Sequence, residues 1–281
     1  MKSFKHMLNT KASFLAVLSI FTMVSAFGVS STTAVAQDNS AQKPVEIEAD
    51  DGIEWIQNPD KSGGYYKATG NAIARQGDMV LTSDELTAHY NTQKSEADGK
   101  EKQSLYRIDA EGSVVVNQQQ TNAYGDRGAY HMDQEVAVLV GKDLRLVDPK
   151  AIITARDALE FWSAKNIAVA RGDALLVSDD KRMKAGVMTA FITQNETTGD
   201  NEVSRIDATS GVHISTPSEI VTGKEGVYNL KTEVATLCGD VKISRGQNQL
   251  NGNCAEVNMK TGRSKLLGGN GKVKGLILNG N

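Results

Sequence analysis

An all-β fold assembled from repeated antiparallel strand units is predicted by three features of this 281-residue chain. Residues 107–141 and 205–239 align without a gap at 13 of 35 positions, an internal duplication that opens on RIDAEGSVVV and RIDATSGVHI. Glycines that follow apolar runs recur at Gly70, Gly112, Gly141, Gly172, Gly211, Gly239 and Gly268, at spacings of 42, 29, 31, 39, 28 and 29. Beyond the N-terminal segment, no stretch of a dozen residues carries a helical apolar stripe, whereas runs of four to seven β-branched and aromatic residues alternate with polar turns. At the usual strand length of about five or six residues this predicts roughly 14 to 16 short strands.

Taken in order, the chain begins with MKSFKHMLNTK, which holds Lys2, Lys5 and Lys11 and no acid, followed by an apolar stretch from Phe14 to Val29 and the small residues Ala34 and Ala36 around Val35. This is the three-part pattern of a secretory signal peptide, so residues 1–36 are expected to be removed and residues 37–281 to form the mature protein. The apolar stretch is diluted by Ser and Thr and falls short of the roughly 20 residues a membrane span needs. Removal takes away three of 31 basic and none of 34 acidic residues, leaving 28 minus 34, a net charge of −6. Phosphate backbones reward a basic stripe, so no nucleic-acid partner is expected.

The two longest glycine spacings hold the charged, turn-rich inserts at Asn91–Ser104 and Thr193–Ser204, and without them the unit is close to 29 residues throughout. A unit of that length suits an antiparallel pair, as in GKEGVYNLKTEVATLCGDVKI, where Lys231-Thr232 marks the turn. The recurrent glycines are read as bending points, because a residue without Cβ adopts sharp backbone angles at little steric cost. Gly112 and Gly211 stand one step out of register between the two copies, which suggests a bulge or a loop adjustment there. Cys238 and Cys254 flank a predicted hairpin turning near Arg245–Asn248, which sets the thiols opposite each other if the turn centres on Gly246. Export to an oxidising compartment then favours a disulfide, while a slip of one register would leave two buried thiols.

Catalytic chemistry finds no framework. Three histidines remain in the mature chain, His89, His131 and His213, and no HxH, HExxH, CxxC or GxSxG motif is present. No catalytic residue, metal ligand or cofactor is expected. GGNGKVKG at Gly268–Gly275 lacks the Walker spacing of a phosphate loop.

The opening PVEIEADDGIEW from Pro44, followed by ATGNAIARQGDMVLTSDELTAHY at Ala68–Tyr90, resembles the OstA-like family. The pattern is carried by Pro44, Val45, Ile47, Glu48, Asp50, Thr69, Gly70, Asn71, Gln76, Gly77, Asp84, Leu86 and Tyr90. Later units fit the family's G-x-x-x-x-Y repeats at Gly125, Tyr130, Met132, Val136, Val138 and Gly141, and at Gly223, Tyr228, Leu230, Val234 and Gly239. The resemblance implies a V-shaped, twisted β-jellyroll with an apolar interior. It further implies a periplasmic carrier that shelters lipopolysaccharide (lipid A) acyl chains on the way from inner to outer membrane. Leaving a chain of about ten methylenes in water would cost about 8 kcal/mol, the quantity such a groove removes.

The family pattern turns Val45 and Ile47, Tyr130 and Met132, and Tyr228 and Leu230 into the groove. Alternation adds Leu86, Tyr90, Val114, Val116, Leu159, Phe161, Val212 and Ile214. Sequence does not separate groove-lining residues from a packed core. The edges Val45, Glu46, Ile47 and Glu48 and the C-terminal Leu276, Ile277 and Leu278 lack blocking residues. In the family such edges join an LptC-like inner-membrane partner, an LptD-like outer-membrane translocon, or further copies head to tail. The duplication exceeds a minimal carrier, predicting either one longer groove or a second jellyroll after the first. Two other readings stay open: a secreted structural or carbohydrate-binding β-solenoid, and an LptC-like jellyroll that keeps its N-terminal segment as an anchor.

Overall fold

Each recurrent glycine from Gly70 to Gly239 lies on a crease that divides the molecule into two facing walls. The computed structural model describes residues 45–77, 79–94, 101–118, 120–196, 201–268 and 273–277. The expected signal peptide, residues 1–36, and Leu278 lie outside the described residues. The strands are β1 (Glu46–Glu48), β2 (Gly52–Gln57), β3 (Gly63–Gln76), β4 (Met79–Lys94), β5 (Glu101–Gln118), β6 (Thr121–His131), β7 (Val136–Val140), β8 (Arg145–Asp148), β9 (Ala151–Thr154) and β10 (Ala158–Trp162). They continue as β11 (Ile167–Ser178), β12 (Lys181–Gln194), β13 (Asn201–Thr209), β14 (Val212–Ser215), β15 (Ile220–Gly223), β16 (Glu225–Asn229), β17 (Val234–Arg245), β18 (Asn248–Asn258), β19 (Arg263–Leu267) and β20 (Lys274–Leu276). A single 3-10 turn at Ser163–Lys165 is the one helical element among the described residues.

Every pairing is antiparallel, and the twenty strands form one continuous sheet folded on itself. Eight strands (β3–β6, β11, β12, β17 and β18) carry their pairing across the crease. The other twelve form six broken rows, β1/β2, β7/β8, β9/β10, β13/β14, β15/β16 and β19/β20, each half pairing in its own wall. Fourteen rows therefore give twenty strands where roughly 14 to 16 short ones are expected from the sequence, and several are long: β5 runs for 18 residues. The architecture is the two-walled β-jellyroll.

Local backbone chemistry places the crease. Register shifts fall between Thr69 and Ala72, Glu111 and Val114, Arg171 and Ala174, and Cys238 and Val241. At one of them Gly112 (φ 75°) precedes Ser113 (φ 49°), and in the duplicate Ser210 (φ 64°) precedes Gly211 (φ 85°). Two successive residues are left-handed in both copies, so the glycine serves at either place, and the one-step offset in the sequence follows.

The described ends of the charged inserts are strands. Asn91–Lys94 pairs with Glu101–Ser104, and Thr193–Gln194 with Asn201–Glu202, so both lengthen hairpins of one wall. Charged side chains on a solvated strand face look like a loop in sequence, because alternation is lost when neither face is buried. The Arg and Asp of the doubled phrase pair with each other within one strand in each copy. Arg107 Nε donates to Asp109 Oδ1 at 2.8 Å, and the Arg205 guanidinium pairs with Asp207. Both pairs lie on the outward face.

Candidate functional site

In the first wall an inward-facing line of side chains crosses every row from Trp55 on β2, through Tyr130, Phe161, Ile206 and Tyr228, to Ser264 on β19. In the second wall the matching line runs from Ile47 on β1, through Val116, Ala123, Leu146, Met183 and Val221, to Gly275 on β20. Between them lies an apolar cavity of about 230 Å³. Apolar voids of about 150 Å³ stay dry and accept benzene, so this one has room for a stretch of hydrocarbon.

The cavity occupies only part of the length. Its lining begins at Val45, Ile47 and Ile53 and stops at Met188, Val203 and Ile206. Beyond that point the walls close on a packed core in which Val221, Leu237 and Ala255 have no exposed surface. Side-chain size at duplicated positions accounts for the difference. Ala123 and Val116 line the cavity, whereas their counterparts 98 residues on, Val221 and Ile214, fill the space. Alanines recur along the open part, including Ala68, Ala88, Ala110, Ala137, Ala168 and Ala190, and small side chains facing one another leave the void.

Of the residues expected in the groove, Val45, Ile47, Leu86, Val114, Val116, Tyr130, Leu159 and Phe161 line this cavity. Tyr90 is buried beside it, its hydroxyl accepting a hydrogen bond from Trp55 Nε1 at 2.7 Å. Met132 lies in the turn after β6, outside the lining. Val212 and Ile214 belong to the closed core, with Tyr228 and Leu230 packed against it, so these four are not brought to the cavity. Sequence reasoning missed Ile53, Tyr66, Leu139, Leu146, Ile153, Met188 and Ile206. Continuing the alternation through Ile53/Trp55 and Leu139/Ala137 would have found several of them.

Charge is kept out of the slot by pairing. Arg75, in the lining, holds Glu48 Oε2 at 2.8 Å. Burial works against the charge of Glu160, but hydrogen bonds from Arg171 and Trp162 outweigh it and hold the carboxyl below its usual range. Tyr130 is different: burial first, then the negative charge of Glu135, pushes its hydroxyl up to about 12, against a hydrogen bond with Ser163. A raised folded value means this stabilisation is whole below the unfolded value of 10.0 and is lost as pH rises through about 12. Burial and Glu233 also raise Tyr228, so an ultraviolet titration should show late-ionising tyrosines, and Tyr130→Phe should remove one of them together with part of the alkaline loss of stability. An unchanged titration would contradict the burial of this ring.

Both ends present apolar edges. At the N-terminal end Val45, Ile53 and Trp55 are at least half exposed, beside β1 and on β2, which among the described residues pair only with β3. At the other end Leu276 and Ile277 are exposed, on and beside β20, which among the described residues pairs only with β18.

A β-jellyroll with repeated units and an apolar slot between its walls defines a carrier-like class. The family described as LptA/(LptD N-terminal domain) LPS transport protein matches residues 46–158 and again 152–263, and the chain belongs to that family. An uncharacterized protein of Rhizobium meliloti (strain 1021) is 29% identical over 135 residues, which is 47% of this chain and 73% of that one. The chain is also similar to LptH of Pseudomonas aeruginosa, the LptA homologous periplasmic component of the conserved lipopolysaccharide transport device. That solved structure aligns at 12% identity and TM-score 0.40, covering 46% of this chain and 95% of its own.

Proposed function

We propose that this chain shelters lipopolysaccharide acyl chains in the slot between its walls and passes them across the periplasm from the inner to the outer membrane. The observation that carries this reading is the apolar cavity, lined from Val45 to Ile206 and bounded by small inward side chains. Burial there is non-directional, so a chain gains shelter without a polar anchor to stop it sliding. The exported form starts near Gln37 and carries its slot in the first half of one continuous sheet. The open edges β1/β2 and β19/β20 receive neighbours of the same fold: an LptC-like partner, an LptD-like translocon, or another copy. Their backbone groups, unpaired on one side among the described residues, and exposed Ile53, Trp55, Leu276 and Ile277 support strand addition at either end.

Photocrosslinking from Ile47 and Tyr130 to lipopolysaccharide tests the reading. Capture at both, with none from the outward Glu46, is expected. Capture from Glu46 alone would overturn it, and so would failure at all three with the fold intact.

A further inference from the structure

The walls meet again at their outer rims, and among the described residues only the second half of the molecule shows a bridge between them built from a buried charge. Glu219 stands in the turn between β14 and β15, on the rim of the second wall, with its side chain 1% exposed. Its Oε2 accepts from Arg245 Nη2 at 2.9 Å, within the same rim. Its Oε1 accepts from Ser264 Oγ at 2.6 Å, and Ser264 belongs to β19 of the first wall. Arg245 Nη2 also donates to the carbonyl of Gly262, in the first-wall turn before β19, at 2.9 Å. Two hydrogen bonds thus cross from rim to rim, organised by one ion pair.

The duplicate shows what this replaces. The residue 98 positions before Glu219 is Thr121, and its hydroxyl donates to Asp148 Oδ2 at 2.9 Å, inside the second wall. Thr is too short to reach the opposite rim. The half carrying Thr121 holds the cavity, and the half carrying Glu219 is closed.

We propose that Glu219, Arg245 and Ser264 form a clasp that holds the mouth of the second unit shut, making it a gate that an acyl chain must open to travel beyond Ile206. The inference rests on the lipid-carrying reading for its purpose, but not for its geometry. A buried carboxylate separated from its partners is strongly unfavourable, so the bridge resists partial opening. Once water reaches the rim, the released groups are solvated and little holds them. The clasp therefore behaves as a latch with two states.

Spin labels on the full mature chain test this directly. One pair, at Ser218→Cys and Lys260→Cys, spans the clasped rims; a control pair, at Gln120→Cys and Asp133→Cys, spans the open half. Without lipid, the first pair should give a narrow distance distribution that shifts to longer distances and broadens in Glu219→Thr, while the control pair stays as it was. Ser264→Ala, which keeps the ion pair and removes one cross-rim bond, should shift the same distribution less, and it decides the matter if Glu219→Thr does not fold. Crosslinking of lipid A from Tyr228 should rise from background in either variant. Unchanged rim distances in both variants overturn the clasp, even with lipid captured at Tyr130. Separated rims with no capture at Tyr130 uphold the clasp and count against the lipid reading.

Discussion

Leu237→Ala is expected to lower unfolding stability by about 3–5 kcal/mol, whereas the same truncation at Leu139, its counterpart in the duplication, is expected to cost only about 1–2 kcal/mol. The two leucines have the same place in the repeat but different surroundings. Leu237 has no exposed surface and sits in the large core of the second half. Leu139 is half-buried, lines the cavity and packs on the smaller cluster around Ala110 and Val114. Deleting its methyls enlarges a void that already exists, so fewer packing contacts are lost. Urea or thermal unfolding of both variants checks the contrast. Equal losses would mean the first half is packed as tightly as the second.

Breaking the disulfide is expected to remove about 3 kcal/mol, from a loop of about 15 residues in the chain-entropy account. Cys238 and Cys254 face each other in register, with Cα atoms 4.1 Å apart and the sulfurs bonded, 16 positions apart in sequence. The bond sits at the last pair before the register shift to Val241 and Gly252, so it staples β17 to β18 at the crease. A Cys238→Ser/Cys254→Ser double variant should unfold at clearly lower urea concentration than the oxidised protein and respond no further to reductant. A midpoint unmoved by both would show that the packed β17–β18 hairpin needs no staple.

Much of this was legible because the relevant signals are periodic. The duplication, the glycine spacing and the absence of helical stripes state a two-row antiparallel unit, and the crease glycines lie where the spacing put them. The opposition of Cys238 and Cys254 follows from the turn at Gly246 once register is fixed. The slot was legible only in part, since inward-facing residues alternate identically whether they line a void or fill a core. Val212 and Ile214 read the same as Val114 and Val116, yet only the latter pair lines the cavity. What decides is small differences across facing walls, such as Ala123 against Val221, which gain meaning only when both walls are in place. The clasp was equally hidden, because Glu219 and Ser264 are 45 positions apart and neither belongs to a recognisable motif.

The division of labour along the crease separates two dimensions of the molecule. Each 29-residue unit contributes one outward and one returning row, so reach grows by whole units and costs no new solution to the bend. Calibre is written elsewhere, in the size of a few inward side chains, and changes without altering reach. A chain built this way can be lengthened by copying and then rebored segment by segment, which is the history that a hollow first half and a filled second half would leave.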